Sequence, residues 1–287
     1  MRRIERRVRR LRIKDFNITI GEVNFPGSKI ISFSGLQETV VEYEMTKNAI
    51  GNGTIITGWY MPEREMRMVA SLTRATVDNT LRYFKANKDL VMVIGKREIN
   101  VVVESVSIDW ESGFYNDPRI KLNLIAPDPY FYDVSDFGRN IAGIIPQFGF
   151  PWRYSPDDPV KFGYHEFTER TIFENDGDDE VGLKLKVEAT GTVKNFKFEN
   201  LTTGQYLKIM QELTEGDVLE VSTVAGDCYI RLNGEDIFDK IDHMSDFFKL
   251  SIGDNFLQYS ADIGETEMNV YLYYTPKYLN GLEDITK

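Results

Sequence analysis

A strand pattern near the middle of the chain is followed by two prolines. The segment Leu122–Asp133 reads L-N-L-I-A-P-D-P-Y-F-Y-D, and its first part alternates apolar and polar residues as a strand with one buried face does. Pro127 and Pro129 follow, and neither can donate a backbone hydrogen bond to a sheet. The strand must therefore end at this proline seam. Because composition and charge differ on its two sides, we interpret the seam as a domain boundary.

The length of the chain favours two domains. Its 287 residues exceed a single small core, and the 42% hydrophobic content is typical of a folded protein. The single cysteine, Cys228, rules out an intrachain disulfide, and its alternation with Ile230 and Leu232 predicts a core position. The predicted divisions are an N-terminal domain (1–133), an irregular linker or extension (134–170) and a C-terminal domain (171–287).

Charge is distributed very unevenly along the sequence. The net charge is -11, but residues 1–14 hold seven Arg and one Lys against one Glu, so removing their +7 leaves -18 for the rest. A body this acidic should repel nucleic acid. The segment Met1–Ile13 is either a terminus that orders against a partner chain or an arm that seeks phosphates or an acidic neighbour. No run of apolar residues is long enough to predict a membrane span or a secretory signal.

The N-terminal half predicts strands, a long hairpin and one helix. Apolar alternation on both sides of Asn52 and Gly53 indicates a hairpin from Tyr43 to Tyr60. A helix is predicted to begin after Thr76 as N-cap, with Val77, Leu81 and Phe84 on one face and Lys85 and Lys88 near its end. One helix among many strands predicts a mainly β fold (all-β or α+β), with an N-terminal β-sandwich carrying the helix.

The C-terminal half shows the most regular alternation. Strand patterns between Arg170 and Tyr278 are separated by turn signals such as Ala225-Gly226 and Asn233-Gly234, which predicts an antiparallel β-sandwich. The irregular stretch before it is rich in Pro, Gly and aromatic residues. Trp152 and Tyr154 in this stretch either pin the loop to its own domain or a neighbouring subunit, or form a platform for a ligand.

Motifs for catalysis or metal binding are not evident. The two histidines, His165 and His243, stand in irregular segments, and no nucleophile elbow, P-loop, dinucleotide fingerprint or zinc motif is present. The acidic run Glu174–Glu180 does not fit an EF-hand register and is interpreted as a solvated turn. The sequence therefore predicts no enzyme, no cofactor and no metal site.

The order of several short motifs resembles the distal tail proteins of long-tailed bacteriophages of Gram-positive hosts. In the first half these motifs are Y-M-P-E-R-E-M-R-M (60–68), one helix, and I-A-P-D-P-Y-F-Y-D (125–133). The second half resembles that family's galectin-like C-terminal domain through N-D-G-D (175–178), A-T-G-T-V-K-N (189–195), L-T-T-G-Q-Y (201–206), E-G-D-V-L-E-V (215–221), R-L-N-G-E-D (231–236) and K-L-S-I-G-D-N (249–255). Two departures are the arginine-rich start and the long stretch 136–169.

The resemblance implies a structural role in the tail tip or baseplate of a phage or prophage. Such proteins form a homo-oligomeric ring, usually a hexamer, through the N-terminal domain. The ring joins the tail tube protein to the tail-associated hub or lysin protein and lets DNA pass without binding it. A receptor-binding protein is a further possible partner, although no inserted arm that would hold one is evident. The expected location is the virion tail, after synthesis in the host cytoplasm.

The predicted hairpin offers a way to build such a ring. A head-to-tail interface whose rotation closes produces a ring, and a protruding hairpin can reach a neighbour's sheet. Tyr43, Asn52, Gly53 and Tyr60 are therefore the candidate subunit-interface residues, and Trp152 and Tyr154 the candidate aromatic contact.

Three other functions fit parts of the pattern. The main alternative is a carbohydrate-binding module for the host cell wall, using Trp152 and Tyr154. The second is a glycosidase that acts through two of the 45 acidic residues. The third is a tail tube protein, which would polymerise into long tubes and not stop at a ring.

Overall fold

The computed structural model describes residues 16–48, 52–84, 88–110, 117–134, 137–140, 144–145, 164–165 and 171–282. The chain separates into two compact units. The first combines Met1–Ser135 with Lys277–Lys287, and the second is Asp136–Pro276. The second unit is thus inserted between two segments of the first, whereas the predicted division placed all of 171–287 in one domain. The predicted linker, 134–170, lies mostly outside the described residues.

Strands make up most of the described chain. They are β1 (Ile18–Ile20), β2 (Val23–Phe25), β3 (Ile30–Ser34), β4 (Glu42–Lys47), β5 (Thr54–Tyr60), β6 (Arg64–Ser71), β7 (Asp89–Ile94), β8 (Arg97–Asp109), β9 (Arg119–Ala126), β10 (Phe131–Asp133), β11 (Phe137–Asn140), β12 (Ile144–Ile145), β13 (Tyr164–His165), β14 (Thr171–Asn175), β15 (Leu183–Ala189), β16 (Val193–Lys194), β17 (Lys197–Asn200), β18 (Gln205–Lys208), β19 (Glu212–Leu213), β20 (Val218–Val224), β21 (Asp227–Leu232), β22 (Glu235–Asp236), β23 (Gly253–Ser260), β24 (Met268–Tyr274) and β25 (Lys277–Tyr278). The helix α1 spans Val77–Tyr83, and short 3-10 turns occupy Gly27–Lys29, Arg74–Thr76 and Phe238–Lys240. The predicted mainly β fold class is confirmed.

The first unit is built on one antiparallel sheet. Its strands follow the order β2-β1-β7-β8-β9-β6-β3, and β10 joins through β8 and also pairs with β25. In β6, Met66, Met68 and Ala70 face the core while Glu65 and Arg67 are exposed, as the alternation predicts. The strand β9 ends at Ala126, directly before the proline seam, so the predicted stop is confirmed.

The predicted helix is present and lies against this sheet. It begins at Val77 after Thr76, and Asp78 stands in its first turn, where a negative charge is favourable. Val77 and Phe84 are buried in the same core as the sheet. The helix ends at Tyr83, so Lys88 lies beyond its end and not within its last turn.

The second unit is an antiparallel β-sandwich. One sheet has the order β11-β24-β15-β20-β21-β22 and the other β14-β23-β17-β18. Both sheets contribute to one hydrophobic core: Leu185 and Val221 come from the first sheet, and Phe198 and Leu257 from the second. Among the described residues, no helix is long and apolar enough to cross a membrane.

The position of Cys228 differs from the prediction. The residue is exposed, whereas Ile230 two positions later is fully buried. Cys228 lies next to the turn at Ala225-Gly226, where the ends of β20 and β21 extend beyond the core. Alternation correctly identified the face of the strand but not where the core ends along it.

Candidate assembly surface on the N-terminal unit

The predicted hairpin is present as β4 and β5. These two strands form a separate sheet, and within the described residues neither has another strand partner. Asn52 and Gly53 are exposed at its tip, and Gly53 has a φ of 103°, a conformation that glycine adopts readily. Isolated two-stranded hairpins are marginally stable in water, so this hairpin is a candidate for contact with another surface.

One face of the hairpin is apolar. The register pairs Tyr43 with Trp59 and Met45 with Ile56, and directly opposed residues share a face. A bulge between these two pairs shifts β5 by one residue, which brings Ile56 onto the same side as Trp59. Their exposed fractions are 52% for Tyr43, 58% for Met45, 57% for Ile56 and 63% for Trp59. We call these four residues the apolar face of the hairpin.

The opposite face of the hairpin is acidic. It carries Glu42 and Glu44 on β4, and Ile55 and Tyr60 on β5. The hydroxyl of Tyr60 donates a hydrogen bond to the Glu42 carboxylate, and this bond raises the pKa of Tyr60. The two faces therefore differ in chemistry although they belong to the same pair of strands.

A buried arginine fixes the segment that follows the hairpin. Arg64, the first residue of β6, is only 6% exposed. Its Nη1 donates to the carbonyls of Gly35 at 2.8 Å and Glu38 at 2.6 Å, before the hairpin in the chain. Its Nε donates to Pro129 at 2.7 Å, and its Nη2 to Leu279 at 3.0 Å. Burial lowers the pKa of Arg64, and the charge of Glu38 opposes that change.

The C-terminal segment completes this arrangement. The strand β25 pairs with β10, and Tyr278 and Leu282 are both buried in the core of the first unit. Gly281 N donates to the Leu36 carbonyl at 2.9 Å. A Cβ at Gly281 would meet the ring of Phe131 at 2.6 Å, so the close approach of this segment requires glycine.

A pocket of about 370 Å³ lies beside the hairpin and has an acidic lining. Its acidic residues are Glu38, Glu42, Glu63, Glu65 and Glu104, and all five are exposed. The basic lining residues are Arg64, which is held by backbone carbonyls, and Arg67, which donates to Asn123 at 3.0 Å. The region around the hairpin base is thus negatively charged overall.

The structure distributes the predicted interface residues over different parts of the hairpin. Tyr43 lies on the apolar face, Tyr60 on the acidic face, and Asn52 and Gly53 at the tip. Sequence reasoning did not single out Met45, Ile56 or Trp59, because the bulge hides their common face. Their contact with a second subunit stays a prediction. Trp152 and Tyr154 lie outside the described residues.

The comparisons with known proteins concern both units. Residues 176–278 match the family described as siphovirus-type tail component, C-terminal domain. The fold is similar to the crystal structure of the SPP1 Dit protein, described as a paradigm of the hub adsorption apparatus in phages that infect Gram-positive hosts. The TM-score is 0.67 at 14% identity, with 92% of this chain and 99% of that chain covered.

A weaker likeness links the chain to a phage P2 baseplate structure in its activated conformation with Ca. Its TM-score is 0.46 at 10% identity, with the same coverage. No curated protein sequence matches the chain significantly. Residues 176–278 thus match the C-terminal domain family of siphovirus-type tail components, and the chain as a whole has a fold similar to that of the SPP1 Dit protein.

Proposed function

We propose that this chain is a structural, non-catalytic subunit of a siphophage tail tip or baseplate, and that its N-terminal unit assembles into a closed ring. The observation that carries the proposal is the apolar face of the hairpin. Tyr43, Met45, Ile56 and Trp59 are each more than half exposed on a hairpin that has no strand partner of its own among the described residues. Exposed apolar patches of this kind are typical of protein interaction sites.

A ring requires an interface of a particular kind. In a head-to-tail interface two different surfaces of the same protein meet, and the assembly closes when the rotation between copies divides a full turn. The protruding hairpin can serve as one of these surfaces, with its base held in place by Arg64. The resemblance to distal tail proteins supports six copies in the ring.

The partners in the proposal come from the fold similarity. The SPP1 Dit protein is described as part of a hub adsorption apparatus. By analogy, we propose that this ring lies in the virion between the tail tube protein and the tail-associated hub protein. The charge of -18 for residues 15–287 supports a channel that DNA crosses without binding, because like charges repel.

The carbohydrate-binding alternative depends on Trp152 and Tyr154. Because neither residue lies in the described part of the chain, the alternative stays a prediction. Binding to purified host cell-wall polysaccharide that is lost in Trp152→Ala would support it.

The ring is tested by light scattering and electron microscopy of the purified full chain. Six copies of the 33.1 kDa chain give about 199 kDa, and images should show closed rings. Trp59→Asp should shift the protein to monomers, because it places a charge on the apolar face. Ile55→Asp is the matched control, since Ile55 is 53% exposed on the other face of the same strand. A monomeric parent would contradict the proposal, and long tubes would favour a tube protein.

A further inference from the structure

A ring needs a surface that receives the hairpin. Because the interface of a ring is heterologous, this acceptor must differ from the hairpin itself. The hairpin leaves the sheet between β3 and β6, at one end of the strand order, and β1, β2 and β7 lie toward the other end.

An apolar groove lies near the middle of the strand order, on the outer face of β7 and β8. Its volume is about 420 Å³, and Val91, Val102 and Pro127 form its apolar lining, with Asp89 and Asn100 beside them. Val91 is 42% exposed although it lies in the middle of a strand. The neighbouring residues Leu90 and Val101 point into the core and are buried, so the groove has a rigid floor.

The groove lies on a face of the sheet, where it can receive side chains. The strand β7 is paired with β1 on one side and β8 on the other, and β8 with β9. The β7–β8 ladder joins the opposed residues Asp89 and Val102, and Val91 and Asn100, whose side chains line the groove. A partner would bind through apolar side chains that fill the groove and not through an added ladder of hydrogen bonds.

We propose that the apolar face of one subunit's hairpin packs into the Val91–Val102–Pro127 groove of the next copy. This inference rests on the proposed ring. Aromatic side chains such as Trp59 bury about 150–250 Å² each, which makes them effective anchors in apolar pockets. Lys47 follows Met45 on the same face of the hairpin, and Asp89 at the groove has the opposite charge.

The acidic pocket beside the hairpin is a poorer acceptor for this face. It is lined by Glu38, Glu63, Glu65 and Glu104, whose carboxylates would lose water beneath apolar side chains. It also lies at the base of the subunit's own hairpin, where Glu42 contributes to its lining. The β7–β8 groove has the apolar lining that this face requires.

The first test changes the groove and leaves the hairpin intact. Val91→Asp should raise the concentration needed for ring assembly by at least about tenfold, because it places a charge where apolar side chains pack. Ile172→Asp is the control, since Ile172 is an exposed aliphatic residue on a strand of the second unit. Circular dichroism melting should show that both variants fold. Assembly of Val91→Asp rings at the parent concentration would overturn the groove proposal while leaving the ring intact.

The second test joins the two surfaces chemically. In a Cys228→Ser background, which removes the exposed native thiol, Ile56→Cys combined with Val91→Cys should give covalent oligomers with a short bismaleimide. Ile55→Cys with Val91→Cys is the control, because Ile55 lies on the opposite face. Rings that form without cross-links, or equal cross-linking of both pairs, would overturn the groove as acceptor. A parent that never forms rings would instead contradict the proposed function.

Discussion

Two hairpins of this chain have similar local chemistry and different surroundings. The strands β4 and β5 meet near Gly53, and β20 and β21 meet at Ala225-Gly226. The second hairpin continues into β15 and β22, so one of its faces is buried and Val221 and Ile230 are fully inaccessible. In the described part of the chain the first hairpin has no such sheet, and its apolar face is exposed. Apolar residues on a hairpin therefore indicate a core only where a second layer of the same chain covers them.

The largest expected effect comes from the arginine at the base of the first hairpin. Arg64→Met should lower the free energy of unfolding by about 3–5 kcal/mol, because it removes the donor of four hydrogen bonds, one to a buried carbonyl and three to partly buried ones. Chemical denaturation of the variant measures this change. Arg67→Met, an exposed position on the same strand, should change it by less than about 0.5 kcal/mol. Similar values for the two variants would show that the base does not depend on Arg64.

The comparison between the hairpins themselves is tested by two isoleucine variants. Ile230→Ala in the second hairpin should lower the free energy of unfolding by about 2–5 kcal/mol, because it leaves a cavity in the core. Ile56→Ala in the first should change it by less than about 0.5 kcal/mol in the monomer and should weaken assembly instead. The two properties are measured by denaturation and by light scattering. A destabilised Ile56→Ala monomer would show that the hairpin packs on its own subunit.

A smaller effect is expected at acidic pH in the second unit. A backbone hydrogen bond from Thr214, followed by side-chain hydrogen bonds from Asn233 and Thr214, lowers the pKa of Asp217, which precedes β20. The stability this carboxylate contributes is present above its unfolded pKa and is lost as pH falls through its folded pKa. Asp217→Asn should therefore flatten the acid side of the stability curve, as thermal melting against pH would show. If the variant and the parent lose stability equally at acidic pH, Asp217 does not contribute to the pH dependence.

The smallest effect is expected at alkaline pH in the first hairpin. The hydrogen bond from the Tyr60 hydroxyl to Glu42 raises the pKa of Tyr60. The stability that this bond contributes is therefore present below the ordinary tyrosine pKa and is lost as pH rises through the pKa of Tyr60 in the folded protein. Ultraviolet titration of tyrosine absorbance in the parent and in Tyr60→Phe should show one late-titrating group missing in the variant. Identical titrations would mean that the bond does not persist in solution.

Local signals predicted much of the fold. The turn at Asn52-Gly53, the alternation in β6 and the stop at the proline seam depend on neighbouring residues, and all three are present. The role of Arg64 could not be predicted in this way, because its acceptors Gly35 and Leu279 are 29 and 215 residues away in the chain.

The apolar face of the hairpin was missed for a related reason. A bulge places Ile56 beside Met45, and simple period-two alternation assigns Ile56 and Trp59 to opposite faces. The pairing register had to be known before the face could be recognised. The predicted burial of Cys228 was wrong for a similar reason, because the extent of the opposing sheet is a property of the tertiary structure.

The segment 277–282 packs into the first unit, and this affects the stage of synthesis at which the proposed assembly can begin. During synthesis the hairpin leaves the ribosome early, but Tyr278 and Leu282, which complete the core of the first unit, emerge more than 200 residues later. Arg64 also lacks its acceptor on Leu279 until that moment. A nascent chain therefore exposes the apolar face of its hairpin before the base that orients it is finished, and the proposed association between subunits must wait until residues 278–282 have emerged.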